Sequence, residues 1–149
     1  MAGKVSFSGG EKLQKVFKEA GKGGVKALEI GVFASSRYPD GTPVASVAAW
    51  NEFGTKHIPE RPALRIANKE NEKVLLAIIK RGIDPLKMVI TPQLAGRLGA
   101  NHKGAMQKSI INLREPPNVE STIRAKGSSN PLVGKDDLYN KSIDFKVIK

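Results

Sequence analysis

The run Asn51-Glu52-Phe53-Gly54-Thr55, followed closely by Ile58-Pro59-Glu60-Arg61-Pro62, constrains the fold more than any other part of the chain. Glycine commonly ends helices and proline commonly opens them. Gly54 therefore reads as a left-handed helix end and Pro62 as the start of a new helix. Pro59 and Pro62 stiffen the loop between and reduce the entropy it loses on assembly. Glu52 stands near a helix C-terminus, where the dipole favours cations. Pairing with Arg61 or Arg65 would make it tolerable there and would lock loop 54–61, within a subunit or between neighbours. Without that pairing these are independent surface charges.

Further punctuation divides the rest. Ser8-Gly9-Gly10-Glu11 has the spacing of a capping box, and Leu13, Val16, Phe17 and Ala20 follow at helical spacing, which predicts a helix over 9–20. Leu28, Ile30 and Val32 alternate with Glu29, Gly31 and Phe33, a strand signal within 25–34. Tyr38-Pro39-Asp40-Gly41 is a turn flanked by a second short strand. Thr42-Pro43 supplies a cap and a first-turn proline for a helix whose apolar face is Val44, Val47, Ala48 and Phe53. Ala45, Ala48 and Ala49 are small enough to let another element approach. Trp50, the only tryptophan, reads as a core or interface anchor.

Pro62 opens a helix with a stripe of Leu64, Ala67, Val74, Leu75, Ile78 and Ile79, ending at Gly82; the polar run from Asn68 to Lys73 covers the opposite side. Asp84-Pro85 and Thr91-Pro92 are two further cap-plus-proline signals. The second predicts a helix over 92–113 carrying Leu94, Leu98, Ala105, Ile110 and Leu113. Gly96, Gly99 and Gly104 each weaken it by up to about 1 kcal/mol relative to alanine, so it must hold by packing. Glu115-Pro116-Pro117-Asn118 breaks it. A helical turn over 120–125, a mobile Gly/Ser loop over 126–130 and a final strand with Ile143, Phe145 and Val147 complete the reading. No repeat or internal boundary is visible, so residues 1–149 read as one domain.

With 40% hydrophobic and 5% aromatic residues the core must be modest and mainly aliphatic. No run approaches the roughly 18 apolar residues that cross a membrane, and Met1-Ala2-Gly3-Lys4 opens no signal peptide. The chain has no cysteine, which excludes disulfides and thiolate metal sites and fits a reducing cytoplasm. The net charge is +11, spread without a dense block. A diffuse basic field suits a lining beside DNA, a face that docks on an acidic partner, or a merely soluble surface.

Nothing here assembles an enzyme. His57 and His102 lie far apart without a metal-binding partner motif, and His102 reads as a surface or partly buried polar residue. Ser35-Ser36 and Ser128-Ser129 lack a nucleophile elbow. Asp136-Asp137 reads as a solvated pair, and Gly21-Lys22-Gly23-Gly24 lacks the Walker spacing. The expectation is therefore no catalytic, metal or cofactor-binding residue.

Three stretches, in order, carry a resemblance. The first is Tyr38-Pro39-Asp40-Gly41 through Ala45, Asn51-Glu52-Phe53-Gly54 and Ile58-Pro59-Glu60-Arg61-Pro62 to Arg65. The second is Pro116-Pro117 with Ser121-Thr122-Ile123-Arg124-Ala125-Lys126. The third is Asn130-Pro131-Leu132-Val133 through Leu138 to Ser142-Ile143. Together they resemble the tail-completion and neck (head–tail joining, tail-terminator-like) proteins of long-tailed bacteriophages. Gly134-Lys135-Asp136 departs from the Asp-Thr-Gly usual in that family, and Ala63 stands where an aromatic is frequent.

The reading that results is an α+β fold, a small mostly antiparallel sheet with helices packed on one side. The resemblance implies a structural virion protein. It would be assembled in the host bacterial cytoplasm as a homo-oligomeric ring, hexamer or dodecamer, at the neck or head-proximal end of the tail. Its partners would be head connector or portal-side proteins and tail tube or sheath proteins, with no membrane. The expected interface and loop-locking residues are Trp50, Glu52, Phe53, Gly54, Arg61, Pro62 and Arg65. Lys22, Lys26, Lys103 and Lys108 are candidates to face packaged DNA, from charge alone. A strict tail terminator differs only in location, and the alternative class is a sequence-nonspecific nucleic-acid-binding module.

Overall fold

The computed structural model describes residues 24–85 and 88–149. The helix expected over 9–20 and Lys22 lie outside these residues. The fold is α+β. Strand β1 (Ala27–Val32) pairs antiparallel with β2 (Ile143–Ile148), with Ala27 opposite Ile148 and Val32 opposite Ile143. Between them run α1 (Val44–Phe53), α2 (Ala63–Gly82), α3 (Pro92–Asn112), α4 (Glu120–Lys126) and α5 (Leu138–Lys141). The two-stranded sheet packs on α3, and α2 packs on α3 as well. Ser109 donates to the Ala63 carbonyl at 2.7 Å, while Gly82 abuts Leu94, so α2 and α3 form an antiparallel hairpin.

Thr91 caps α3 by accepting from the Leu94 amide at 3.2 Å, with Pro92 behind it, as the sequence signal requires. Other signals resolve differently. The strand expected beside the Tyr38–Gly41 turn is a single bridge between Arg37 and Pro43. Asp40 takes the Thr42 amide at 2.9 Å, so turn chemistry consumes those residues. Pro43 itself occupies the N-cap of α1. Asp84-Pro85 lies in the α2–α3 connection, where the Asp84 carbonyl accepts from Met88 N at 2.8 Å. The loop 126–130 is tied down: Asn130 Oδ1 accepts from the Leu132 and Val133 amides at 2.8 and 2.9 Å.

One core cluster joins all layers, with Val44, Ala48, Ala63, Ala67, Met106, Ile110, Leu132, Tyr139 and Ile143 buried. The stripe expected on α2 is only half right. Its buried residues are Ala63, Ala67 and Asn71, while Val74 is 46% exposed. Phe53 was expected on the apolar face of α1 and is 69% exposed. The buried line of α1 is Val44, Ala48 and Glu52, each four residues on, so it ends on a carboxylate.

Asn71 is inside because it serves His102, itself buried rather than at the surface. The Asn71 amide donates to His102 Nδ1 at 3.0 Å and to Asn101 Oδ1 at 3.0 Å. His102 Nε2 lies 2.6 Å from Asn68 Oδ1 and must carry the proton. Both ring nitrogens are thus satisfied in the neutral form, and burial lowers the His102 pKa below its ordinary 6.5. As pH falls the unfolded chain takes the proton first. This contribution is therefore complete above about pH 6.5 and drains below it, by at most about 1.4 kcal/mol per pH unit. Urea unfolding at pH 7, 6 and 5 should show that decline in the wild type and a flatter profile in His102→Gln. Asp40 and Asp144 are held below the usual carboxylate range by hydrogen bonds from Thr42 and Lys103, so their contributions drain in a lower window.

The glycines of α3 differ in role. A methyl on Gly99 would collide with the Phe145 ring, which marks where the sheet presses closest to the helix. Gly96 and Gly104 have open space beside them. Gly96→Ala is expected to stabilise by about 0.5–1 kcal/mol through helix propensity. Gly99→Ala is expected to destabilise by about 1–3 kcal/mol through overpacking. Paired denaturant titrations check this, and equal signs would show that α3 and β2 do not meet there.

Candidate functional site

The joint is built where α1 ends and α2 begins. Pro62 holds the N-cap position of α2 and supplies no capping side chain. The first-turn amides of α2 need acceptors from elsewhere. Glu52, 4% exposed, provides them. Its Oε2 accepts from Leu64 N at 3.0 Å and its Oε1 from Arg65 N at 2.8 Å. A carboxylate badly placed for the dipole of α1 is thus well placed for that of α2. The dipole conflict read in the sequence is resolved by the next helix as well as by a cation.

Arg65 is that cation. Its Nε lies 3.1 Å from Glu52 Oε1, and its Nη2 donates to the Glu52 carbonyl and to the Glu60 carboxylate. These bonds, from Glu60 first and then Glu52, raise its pKa. The guanidinium also sits 5.3 Å from the Phe53 ring centre. One side chain therefore ties the end of α1, the loop and the start of α2.

Arg61 does something else: it does not pair with Glu52. Its backbone amide donates to the Asn51 carbonyl at 2.6 Å, closing the loop. Its side chain turns inward, leaving the residue 5% exposed. Nε donates to the Pro116 carbonyl at 2.8 Å, and Nη2 to the Pro117 carbonyl at 3.1 Å and Asn118 Oδ1 at 3.0 Å. Burial lowers its pKa. Asn118 Nδ2 continues to the Pro131 carbonyl, which Lys126 Nζ also reaches at 2.7 Å. Proline carbonyls suit this role, because a proline-rich break forms no ladder of its own.

Gly54 has φ 70° and ψ 171°. That is not the left-handed helical region expected but one open essentially to glycine alone. A Cβ there would also lie 3.2 Å from Ile58 O and Glu60 N. Trp50 is 44% exposed and so is no core anchor in this chain. Beside Phe53 a shallow groove of about 320 Å³ is lined by Val32, Ala45, Ala49, Phe53, Leu64 and Arg65, among others.

The lysines do not form one stripe. Lys103 is paired with Asp144 at 3.1 Å. Lys108 lies five residues further along α3, about 140° around its axis at 3.6 residues per turn. It borders a recess with Ile66 and Glu70 of α2. Lys26 precedes β1 at the end opposite Asp144, which pairs with Gly31. Among the described residues there is no cluster of three His, Cys, Asp or Glu placed to hold a metal, and no helix long and apolar enough to cross a membrane.

Reading the sequence alone missed the target of Arg61, the Asn118 bracket and the buried Tyr139. The Tyr139 hydroxyl has no partner among the described residues. Its pKa is raised by burial first, then by Glu52 and Tyr38. Comparison with protein-family models, curated proteins and solved structures returns no match.

Proposed function

We propose that this chain is a structural virion protein of a long-tailed bacteriophage. It forms a closed ring at the neck or head-proximal end of the tail, completing the tail and joining it to the head around the DNA channel. The fold would then be a variant of the tail-terminator or neck-protein type. The observation that carries this reading is the convergence of the motifs. Arg61 of the first stretch binds the Pro116 and Pro117 carbonyls of the second, and Asn118 and Lys126 bind Pro131 of the third. Residues that resemble one family in order thus build one joint in space, with the exposed Trp50 and Phe53 beside it. Such a joint fixes a surface; it performs no chemistry. In a ring each subunit presents two different faces, and the contacts must close.

Cryo-electron microscopy of the purified virion tests this. A closed ring of this chain between head connector and tail tube supports the reading, and its neighbours distinguish a neck ring from a strict tail terminator. Absence of the chain from the mature particle counts against it. The alternative, a sequence-nonspecific nucleic-acid-binding module, rests on the +11 charge. It requires tight DNA binding by the free subunit that weakens steeply with salt.

A further inference from the structure

Arg61 and Lys126 are neighbouring cations, and among the described residues neither is held in an ion pair. Arg61 is 5% exposed and Lys126 half-buried. Their partners are neutral: the Pro116 and Pro117 carbonyls and Asn118 for Arg61, the Asn130 and Pro131 carbonyls for Lys126. Among the described residues, the three ion pairs involve neither of them. Arg61 Nη1 takes no acceptor among those residues. The charge of Arg61 and burial both work against Lys126 staying protonated, burial the more.

Both side chains line a cleft of about 320 Å³ with Asn118, Thr122, Ile58 and Val119. A second recess, of about 410 Å³, shares Asn51, Lys126 and Pro131 with it, but is lined as well by Lys135, Asp136 and Asp137, so the uncompensated cleft is the first one. Two like charges beside each other in a partly desolvated cleft are costly, and an anion arriving there gains more than it would at an open surface. Duplex DNA presents its phosphates on a convex ridge and meets exposed cations, whereas Arg61 is recessed. A carboxylate on a side-chain stem reaches inward. The rim offers apolar contact to the flanking residues, with Val119 68% exposed.

We propose that this cleft receives a glutamate or aspartate side chain from an extended acidic segment of another protein, which supplies the counter-ion for Arg61 and Lys126. The net charge of +11 would steer such a partner toward the surface. The cleft's chemistry is independent of ring formation and belongs to the free subunit as well.

The test is a titration of the isotopically labelled full chain, followed by two-dimensional NMR. The probes are N-acetyl-Gly-Glu-Gly-amide, its glutamine counterpart and inorganic phosphate. The glutamate peptide should give saturable shifts at Arg61 Nε–H and at the Asn118 and Thr122 amides. The glutamine peptide should bind about tenfold more weakly, as expected for losing a charge-assisted contact. Lys126→Met should weaken the glutamate peptide to a similar degree while keeping a dispersed spectrum. Equal binding of the two peptides, or shifts confined to other surfaces, would overturn the proposal. So would saturation by phosphate at lower concentration than by the glutamate peptide. Should Lys126→Met unfold, the comparison of the two peptides on the wild type still decides.

Discussion

Replacing Arg61 with leucine is expected to lower the unfolding free energy by about 2–4 kcal/mol, among the larger effects of any single substitution outside the apolar core. Three hydrogen bonds from a buried guanidinium are lost, to the Pro116 and Pro117 carbonyls and Asn118 Oδ1. Bonds from charged groups contribute about 1.5–3 kcal/mol each. They act through one side chain and are not additive, and Pro117 lies near enough to water to recover part of its loss. Urea unfolding measures this as a lower midpoint at unchanged slope. Arg61→Lys is the sharper comparison. It keeps the charge but not the fork that reaches two carbonyls and an amide at once, so it should recover less than half of the loss. A lysine variant as stable as the wild type would show that charge, not geometry, matters there. Lys126 offers a second readout, because removing Arg61 should raise its pKa toward the ordinary value.

Local signals in the sequence are legible where one residue type has one use. Thr91-Pro92 gave the start of α3 because a hydroxyl cap and a first-turn proline fit little else. Ile143, Phe145 and Val147 gave β2, because alternation has period two only in a strand. The misreadings share a cause: tertiary partners that no local window contains. Asn71 reads as solvent-facing because it is polar, yet His102, distant in sequence, makes the interior its better site. Phe53 reads as core-facing because it is apolar, but the buried line of α1 passes through Glu52 instead. Nothing local marks that choice, since the amides that Glu52 caps begin on another helix. Arg61 and Arg65 were equally eligible partners for Glu52 by spacing. Direction separates them, because Arg65 lies within the first turn of α2 and reaches back to Glu52, whereas Arg61 precedes the helix and turns toward Pro116.

Glu52→Ala should cost about 2–4 kcal/mol, and the reason is the cap rather than the ion pair. Alanine leaves the Leu64 and Arg65 amides without their acceptors at a partly buried helix start, and a lost N-terminal cap alone costs up to about 2 kcal/mol. Glu52→Gln should fall between the two. Its amide oxygen keeps one acceptor, but its NH2 group then faces a backbone donor. Arg65→Met separates the explanations. The Arg65 side chain is 49% exposed, and ion pairs open to water contribute little. Arg65→Met should therefore cost clearly less than Glu52→Ala. If the two cost the same, the cap argument fails and the salt bridge holds the joint. Hydrogen exchange at the Leu64 and Arg65 amides gives the local version of the test. Both should lose protection in Glu52→Ala and keep most of it in Arg65→Met, because the carboxylate that shields them is still in place. A joint held by a buried cap also keeps its shape when salt screens its surface charges. In the proposed ring, that would suit a surface that meets its neighbours in one orientation only.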